Sequence, residues 1–316
     1  MVTGTTMNFM ILLTMAATTV TTNTYTEEWQ DAKRDRTVPV RIFLPETDKP
    51  CPVALLSHGL GGSREGFGYL GELWSTSGYV VIVMQHPGSD ISIHRNRKRG
   101  ENPREIMKKA ASPENAQLRY DDVKFVLDEL ERRNKSKEKS ERLTGRLDLD
   151  RIGIGGHSFG SQTTLAAVGR FPYKAEPRLK AAIAFSPNRT KIGDQKRIHA
   201  PIQTPMFHFT GTRDDSPLEG NFDPLNRRIP YDSITGPEQY LVIFKGGDHM
   251  LFSGHPRPLG RSEMEKRCQP LIAEMTLKFL DAYLKDDAEA KTWLQGKGLA
   301  EMMKDLGTVE MKGKKE

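Results

Sequence analysis

Ser158 lies at the centre of the sequence GHSFG, residues 156–160, with a glycine two positions away on each side. Residues 151–156 are typical of a short buried strand, and residues 162–168 are typical of the start of a helix. A serine between a strand and a helix lies on a tight, strained turn, where a side chain at either glycine position would collide with the neighbouring segment. Glycines remove both collisions, so this G-x-S-x-G motif predicts a serine nucleophile at the end of a strand.

A serine hydroxyl is a poor nucleophile at neutral pH and needs a histidine base, which in turn needs a carboxylate to fix its tautomer. We predict His249 as the base because it directly follows the last predicted strand, in a loop whose glycines let it reach across the sheet edge. His255, in the same loop, is the alternative. His208 falls within an apolar predicted strand and His199 within a basic loop, so neither is expected to be the base.

The carboxylate is expected between the serine and the histidine in the sequence. Asp214 and Asp215 follow Gly211 at the end of a predicted strand, and one of two adjacent residues can face inward while the other faces solvent. We predict Asp214, the third residue after the glycine, and keep Asp215 as the alternative. Asp248 is poorly placed to orient the ring of its neighbour His249, so a capping or surface role is expected for it.

Two backbone N–H groups must also face the charge that develops on the substrate oxygen. Phe159, the residue after the serine, supplies the first. The loop 58–62 follows an earlier predicted strand, and its glycines let the backbone approach the substrate, so we predict the N–H of Leu60 as the second. His58 is expected to brace this loop. A phosphate-binding loop is a poor interpretation, because neither the GxxxxGK[ST] nor the GxGxxG spacing is present.

Short apolar runs alternate with amphipathic stretches along the chain. The predicted strands are an opening strand or pair ending at 38–44, then a strand with its loop over 51–62, and strands at 79–88, 151–156, 180–187, 205–211 and 239–247. The predicted helices include 64–79, 113–134 and 264–285. This alternation implies βαβ units and a mostly parallel sheet with helices on both faces, whose strand ends carry the site. We predict one α/β domain over residues 24–285, after an N-terminal segment 1–23 and before a charged tail 286–316.

The composition gives little support to a nucleic-acid partner. The net charge is +6, but basic residues are mixed with acidic ones, as in residues 131–142, and no basic motif carries interleaved aromatic residues. Cys51 and Cys268 are far apart and lack a metal-binding spacing, so we expect two free, partly buried thiols, with a single disulfide as the alternative. No oligomeric state is indicated.

The N-terminal segment contains an apolar run, residues 7–20, that is similar to the core of a signal peptide. No Lys or Arg precedes the run, and no clear small-x-small cleavage site follows it. The run is too short and too rich in threonine for a membrane-spanning helix, so no integral span is expected. It slightly favours a secreted or periplasmic protein over a cytoplasmic one.

With these features, the chain resembles the α/β-hydrolase superfamily and, within it, the platelet-activating-factor acetylhydrolase (type II) and dienelactone-hydrolase-like serine esterases. The similar stretches are SHGLGGSREGFGYLGELWSTSGYVVIVMQHPGSD, GHSFG and GGDHMLFSG, and the resemblance extends over most of residues 28–285. It implies an α/β-hydrolase fold with Ser158 as nucleophile, His249 as base, and Leu60 and Phe159 as oxyanion donors.

The resemblance departs from the acetylhydrolases at the acid. In those enzymes the acid follows the strand after the nucleophile, but here that strand ends in AFSPN, with Ser186 and no aspartate. The acid is therefore expected at Asp214, as in dienelactone hydrolases, which weakens any transfer of phospholipid specificity. Dienelactone hydrolases use a cysteine nucleophile, so the serine here favours ordinary ester hydrolysis.

These inferences predict a serine carboxylic-ester hydrolase that forms an acyl-enzyme, without a metal or an organic cofactor. Small residues around the motif and the lack of an obvious apolar lid favour short-acyl esters, of small molecules or of lipids, unless the segments 89–112 and 187–203 cover the site. The alternatives are a phospholipid esterase, a cutinase-like polyester hydrolase, an acyltransferase, and a non-catalytic binding protein with a degenerate site. Polyester activity is not indicated, because Trp29, Trp74 and Trp293 all lie outside the predicted strand-end loops.

Overall fold

The computed structural model describes residues 21–190, 193–256 and 260–313. The strands are β1 (Thr22–Asp31), β2 (Arg36–Pro45), β3 (Cys51–Ser57), β4 (Val80–Met84), β5 (Leu147–His157), β6 (Leu179–Phe185), β7 (Met206–Arg213), β8 (Gln239–Asp248) and β9 (Gly307–Lys312). The helices are α1 (Gly68–Thr76), α2 (Ser92–Arg95), α3 (Pro103–Ala110), α4 (Pro113–Asn134), α5 (Phe159–Leu165), α6 (Gln195–His199), α7 (Ile229–Ser233), α8 (Glu263–Leu284), α9 (Ala288–Gln295) and α10 (Lys297–Met303). A π-helical turn (Ala166–Arg170) extends α5, and short 3₁₀ turns cover Pro172–Lys174 and Pro224–Arg228.

The strands of the described residues form one sheet in the order β1-β2-β4-β3-β5-β6-β7-β8-β9. Strands β3 to β8 pair in parallel, whereas β1 with β2, β2 with β4, and β8 with β9 pair antiparallel. The predicted mostly parallel sheet is confirmed. Because parallel strands end at the same edge, the loops after β3, β5, β7 and β8 meet there.

The sheet separates two hydrophobic clusters, and β3 shows why the sequence folds this way. All of its residues are buried. Ala54 and Leu56 belong to the cluster that includes α1, α8 and α9, whereas Val53 and Leu55 belong to the cluster that includes α4. A strand that is covered on both faces must be apolar along most of its length, which explains the continuous apolar run that ends before Ser57.

Two predicted helices begin at a different residue in the structure. Helix α1 begins at Gly68 rather than at residue 64, because residues 63–67 form turns that lead out of the loop 58–62. Helix α5 begins at Phe159, directly after the serine, rather than at residue 162. Helix α4 has the predicted bounds, since Ser112 caps its first turn and Pro113 occupies its first position.

The C-terminal residues 286–313 differ from the charged, peripheral tail that the composition suggested. They form α9, α10 and β9, and β9 extends the sheet by pairing with β8. Leu294, Leu299, Met303 and Leu306 are buried in the cluster that contains α8. The many charged residues between these positions concealed a regular apolar face.

Both cysteines are free and buried, as expected. The apolar run 7–20 lies outside the described residues. Within the part of the chain that the structure describes, no helix is both long and apolar enough to span a bilayer.

Candidate active site

Ser158 joins β5 to α5 in a backbone conformation that side-chain-bearing residues rarely adopt, with φ 55° and ψ −111°. A Cβ atom at Gly160 would lie 1.9 Å from the carbonyl oxygen of Ser57, and one at Gly156 would lie 2.3 Å from the carbonyl oxygen of Gly160. Both obstacles are backbone atoms that cannot move aside cheaply. Any side chain at either glycine position would therefore collide with the backbone, as the sequence predicts.

Replacing Gly160 with alanine is expected to destabilise the protein by about 3 kcal/mol or more, because the added methyl group overpacks two backbone segments. It would also separate β3 from the serine turn, and a displacement of about 1 Å is expected to lower kcat/KM for an ester about 100-fold. Thermal unfolding and ester hydrolysis check both effects. Gly68→Ala is the control, because its Cβ meets only the Glu72 side chain at 4.0 Å, so stability and activity should change little. If Gly160→Ala changes stability and activity as little as Gly68→Ala does, the steric argument is contradicted.

Ser158 and His249 come together at the strand ends of β5 and β8. Ser158 Oγ lies 2.9 Å from His249 Nε2. The serine is half-buried, and His249 is only 7% exposed, so its ring is shielded on most sides but open toward the serine. This is the contact that a base needs to take the proton of a serine hydroxyl.

Asp214 completes the chain of contacts from the end of β7. Its Oδ1 lies 2.8 Å from His249 Nδ1, and its Oδ2 accepts a 2.8 Å hydrogen bond from the Thr210 hydroxyl. Asp214 is fully buried, whereas Asp215 is exposed to solvent. Asp248 is also exposed and accepts hydrogen bonds from the backbone N–H groups of the two residues after His249, so it caps the turn there.

The other downstream histidines lie away from Ser158. His255 Nε2 accepts a 3.1 Å hydrogen bond from the N–H of Ser63, which ties the histidine loop to the loop 58–62. His208 is buried in β7 beside the Gln239 amide, and burial lowers its pKa to about 3. His199 ends α6, where its Nδ1–H donates to the carbonyl of Gln195.

The predicted oxyanion donors also lie at the site, since Leu60 and Phe159 line the same cavity as Ser158. Within the described residues, no acceptor binds the N–H of either one. His58 braces the loop as expected: its Nδ1–H donates to the Gly59 carbonyl at 2.6 Å, and its Nε2 accepts from the N–H of His86 at 3.0 Å. Burial keeps the pKa of His58 well below its usual range, so the ring is neutral and can fill both roles.

The chain is similar to known acetylhydrolases over part of its length. The family model of platelet-activating factor acetylhydrolase, isoform II, matches residues 12–144, a span that includes the loop 58–62 but ends before Ser158. A platelet-activating factor acetylhydrolase from Cavia porcellus is 22% identical over 289 residues, which is 81% of this chain and 63% of that protein. The chain thus aligns with less than two thirds of its relative's length.

The chain has the fold of the α/β-hydrolase superfamily and is similar to the type II platelet-activating factor acetylhydrolases over the spans just given. Its sheet order, the serine turn after β5 and the histidine after β8 all fit that superfamily.

Sequence reasoning missed Arg227, which lies beside Asp214. Its Nε lies 3.1 Å from Asp214 Oδ1, its Nη2 lies 3.1 Å from His249 Nδ1, and both Arg227 and Asp214 are fully buried. Burial alone would raise the pKa of Asp214, but the hydrogen bond to His249 and the charge of Arg227 outweigh it and lower that pKa. The residue stands in the run PLNRRIPYD, where the sequence does not distinguish it from its neighbour Arg228.

Replacing Arg227 with methionine is expected to cost about 3 to 5 kcal/mol of stability, because it leaves a buried carboxylate without its cation. The ionised form of Asp214 stabilises the wild type, which loses this contribution only as the pH falls through the lowered pKa. In the variant the pKa of Asp214 should rise, so the same contribution should be lost at a higher pH. The pH below which kcat/KM falls should also rise. Urea unfolding and activity measured from pH 3 to 8 check both effects.

Arg228→Met is the matched control, because Arg228 pairs with Asp232 and Glu310 and is partly exposed. Such surface pairs contribute about 1 kcal/mol or less, and their loss should leave the pH profile unchanged. Equal profiles for the two variants would contradict the role given to Arg227.

Two further residues that the sequence did not single out position the site. His157 Nε2–H donates to the carbonyl of His249 at 2.7 Å and so fixes the backbone that carries the ring. Arg119 is fully buried; it donates to the His58 carbonyl at 2.7 Å and lies 4.4 Å from the centre of the Phe159 ring. It therefore connects the two segments that carry the predicted oxyanion donors. Neither position has a distinctive sequence signal.

A cavity of about 560 Å³ opens beside Ser158. Its wall includes the aromatic residues Tyr120, Phe171 and Phe222. Parts of both segments flagged from the sequence, 89–112 and 187–203, line it, and so do residues 216–219, which the sequence analysis had not singled out. None of the three tryptophans is among the lining residues. The volume suits an organic ligand rather than water alone.

The site can supply a nucleophile, a base, an orienting acid and two free backbone donors. The described residues contain no group of three or more histidine, cysteine or acidic side chains arranged to hold a metal ion.

Proposed function

We propose that this α/β-hydrolase is a serine hydrolase of carboxylic esters that acts through an acyl-enzyme. The observation that carries the proposal is the continuous contact from Ser158 Oγ through His249 to Asp214, at 2.9 and 2.8 Å. With its Nδ1–H donated to Asp214, the neutral imidazole carries its lone pair on Nε2, facing the serine hydroxyl. This is the tautomer that a general base requires.

In the first half of the reaction, Ser158 Oγ attacks the ester carbonyl while His249 Nε2 takes the hydroxyl proton. The carbonyl oxygen becomes an oxyanion, which the N–H groups of Leu60 and Phe159 stabilise. The loss of one such donor raises the barrier by about 3 to 4 kcal/mol. The intermediate collapses as the carbon–oxygen bond to the alcohol breaks. His249 returns the proton to the departing alcohol, and the acyl group remains on Ser158.

In the second half, a water molecule takes the place of the alcohol. His249 removes a proton from it, and the hydroxide adds to the acyl carbon. As the bond from that carbon to Ser158 Oγ breaks, His249 returns the proton to Oγ, which releases the acid and restores the serine hydroxyl. Asp214 stays ionised throughout, because Thr210 and Arg227 bind its two oxygens. It holds the imidazole in place and stabilises the imidazolium that forms in each step.

The first test is a series of p-nitrophenyl esters from acetate to palmitate, combined with a fluorophosphonate label. We expect hydrolysis that is fastest for acetate and butyrate, and a label that maps to the peptide containing Ser158 and abolishes that hydrolysis. Fastest turnover of the palmitate ester would favour a lipid ester substrate instead. A labelled serine without release of acid to water would indicate an acyltransferase, and the absence of both turnover and label would refute the proposal.

A further inference from the structure

A second charged group belongs to the same cavity. Arg170 lines the cavity with Ser158 and is only 4% exposed. It ends the π-helical turn that follows α5. Its Nη1 donates to the side-chain oxygen of Gln162, its Nη2 lies 3.5 Å from the carbonyl of Asn188, and its Nε has no partner among the described residues.

These contacts are all neutral. The hydrogen bonds of the buried Arg119 are neutral too, but the charges of Asp122 and Asp90 act on that arginine, and two further arginines shielded from solvent have a carboxylate partner. Arg227 lies 3.1 Å from Asp214, and Arg36 lies 2.8 Å from Asp122. No carboxylate of the described residues lies within ion-pair distance of Arg170. Burial lowers its pKa to about 10, so the side chain is still a cation at neutral pH. A buried charge without a counter-ion destabilises a fold unless a ligand supplies the opposite charge.

The surroundings of Arg170 favour an anion over other ligands. Arg189, exposed at the same wall, adds a second positive charge. Glu219 is the only acidic residue among the described lining residues, and its charge acts on Arg227. Tyr120 and Phe171 supply apolar surface in the same cavity. A partly apolar cavity with a buried guanidinium fits an organic molecule that carries a carboxylate or a phosphate.

We propose that Arg170 binds an anionic group, a carboxylate or a phosphate, on the ester that Ser158 attacks. The proposal rests on the esterase function above and names its substrate class. Gln162, which contacts Arg170, is four residues after Ser158 and therefore one helical turn away, about 6 Å along the axis. The anionic group should thus be separated from the ester carbonyl by only a few bonds, as in a small hemiester or an acylated hydroxy acid.

Three matched comparisons of kcat/KM test this substrate class. The first compares 4-nitrophenyl hydrogen glutarate with its methyl ester, which places the charge on the acyl side. The second compares 4-acetoxybenzoate with methyl 4-acetoxybenzoate, which places it on the alcohol side. The third compares 4-acetoxyphenyl phosphate with the same methyl 4-acetoxybenzoate, which replaces the carboxylate with phosphate and so distinguishes the two anions. We expect wild type to favour at least one anionic ester by about tenfold or more over its neutral partner.

The variant Arg170→Met should remove this preference, so the ratio of the two kcat/KM values should fall about tenfold, while Arg170→Lys should retain part of it. Arg151→Met is the control, since Arg151 is exposed on β5 and pairs with Asp148; its ratio should equal that of wild type. A wild-type preference for the neutral ester in all three comparisons would overturn the proposal. So would an unchanged ratio in Arg170→Met, which would give the arginine a purely structural role.

A binding measurement separates this proposal from the esterase function. In the Ser158→Ala protein, glutarate or inorganic phosphate should raise Tm, and adding Arg170→Met should abolish the shift. If no ester is hydrolysed but the shift depends on Arg170, the esterase function fails and the anion site stands. If esters are hydrolysed and neither anion shifts Tm nor any charged ester is preferred, the anion site fails alone.

Discussion

Replacing Ser158 with alanine is expected to lower kcat for p-nitrophenyl acetate by about a million-fold, to the rate that the remaining site supports without a nucleophile. The substitution removes only one oxygen atom, whose one polar side-chain contact among the described residues is with His249 Nε2. The positive φ of residue 158 is retained, so the protein should fold with little change in Tm. Ester hydrolysis at substrate saturation, measured with the wild type in parallel, checks this expectation.

Ser77→Ala is the control, because Ser77 ends α1 outside the cavity. It should hydrolyse esters at the wild-type rate. Activity of Ser158→Ala within tenfold of the wild type, in a folded protein, would mean that another group attacks the ester. The mechanism proposed here would then be wrong even if the protein is an esterase.

The parts of this site that could be predicted from the sequence are those in which local backbone geometry restricts the residue type. The serine turn has this property, since only glycine fits against the carbonyl of Ser57 at position 160. The loop 58–62 and the position of His249 after the last parallel strand are also local, because they depend on strand ends that short apolar runs reveal. The mostly parallel sheet followed from those same runs.

The buried arginines of the site could not be predicted, because the sequence does not show which side of a polar segment faces inward. Arg227 and Arg228 are adjacent and chemically identical, yet one is buried against Asp214 and the other pairs with Asp232 and Glu310 at the surface. The cause is the packing of the segment 223–233 over the end of β7, and no local pattern records it. The same holds for Arg170 and Arg119, whose surroundings come from segments distant in the sequence. The charged stretch 286–313 concealed its apolar face for a related reason, because its buried residues are spaced over two short helices and a strand.

Replacing Asp214 with asparagine is expected to lower kcat about 10,000-fold, because an amide can donate a hydrogen bond to His249 Nδ1. The imidazole would then carry its proton on Nε2 and could no longer accept one from Ser158. Asp215→Asn is a matched control, since that residue is exposed and its contact with Arg227 runs through the backbone carbonyl, which the substitution keeps. It should retain nearly full activity, and equal losses in the two variants would contradict the assignment of Asp214.

Asp214→Asn should also destabilise the fold, since Arg227 would lose the carboxylate beside it, and the cost of an unpaired buried charge is about 3 to 5 kcal/mol. This loss of stability can be separated from the loss of catalysis by the double variant Asp214→Asn with Arg227→Met. Removing both charges should restore much of the free energy of unfolding, while kcat stays low because the tautomer is still wrong. If activity returns together with stability, Asp214 maintains the structure around His249 and does not orient its proton.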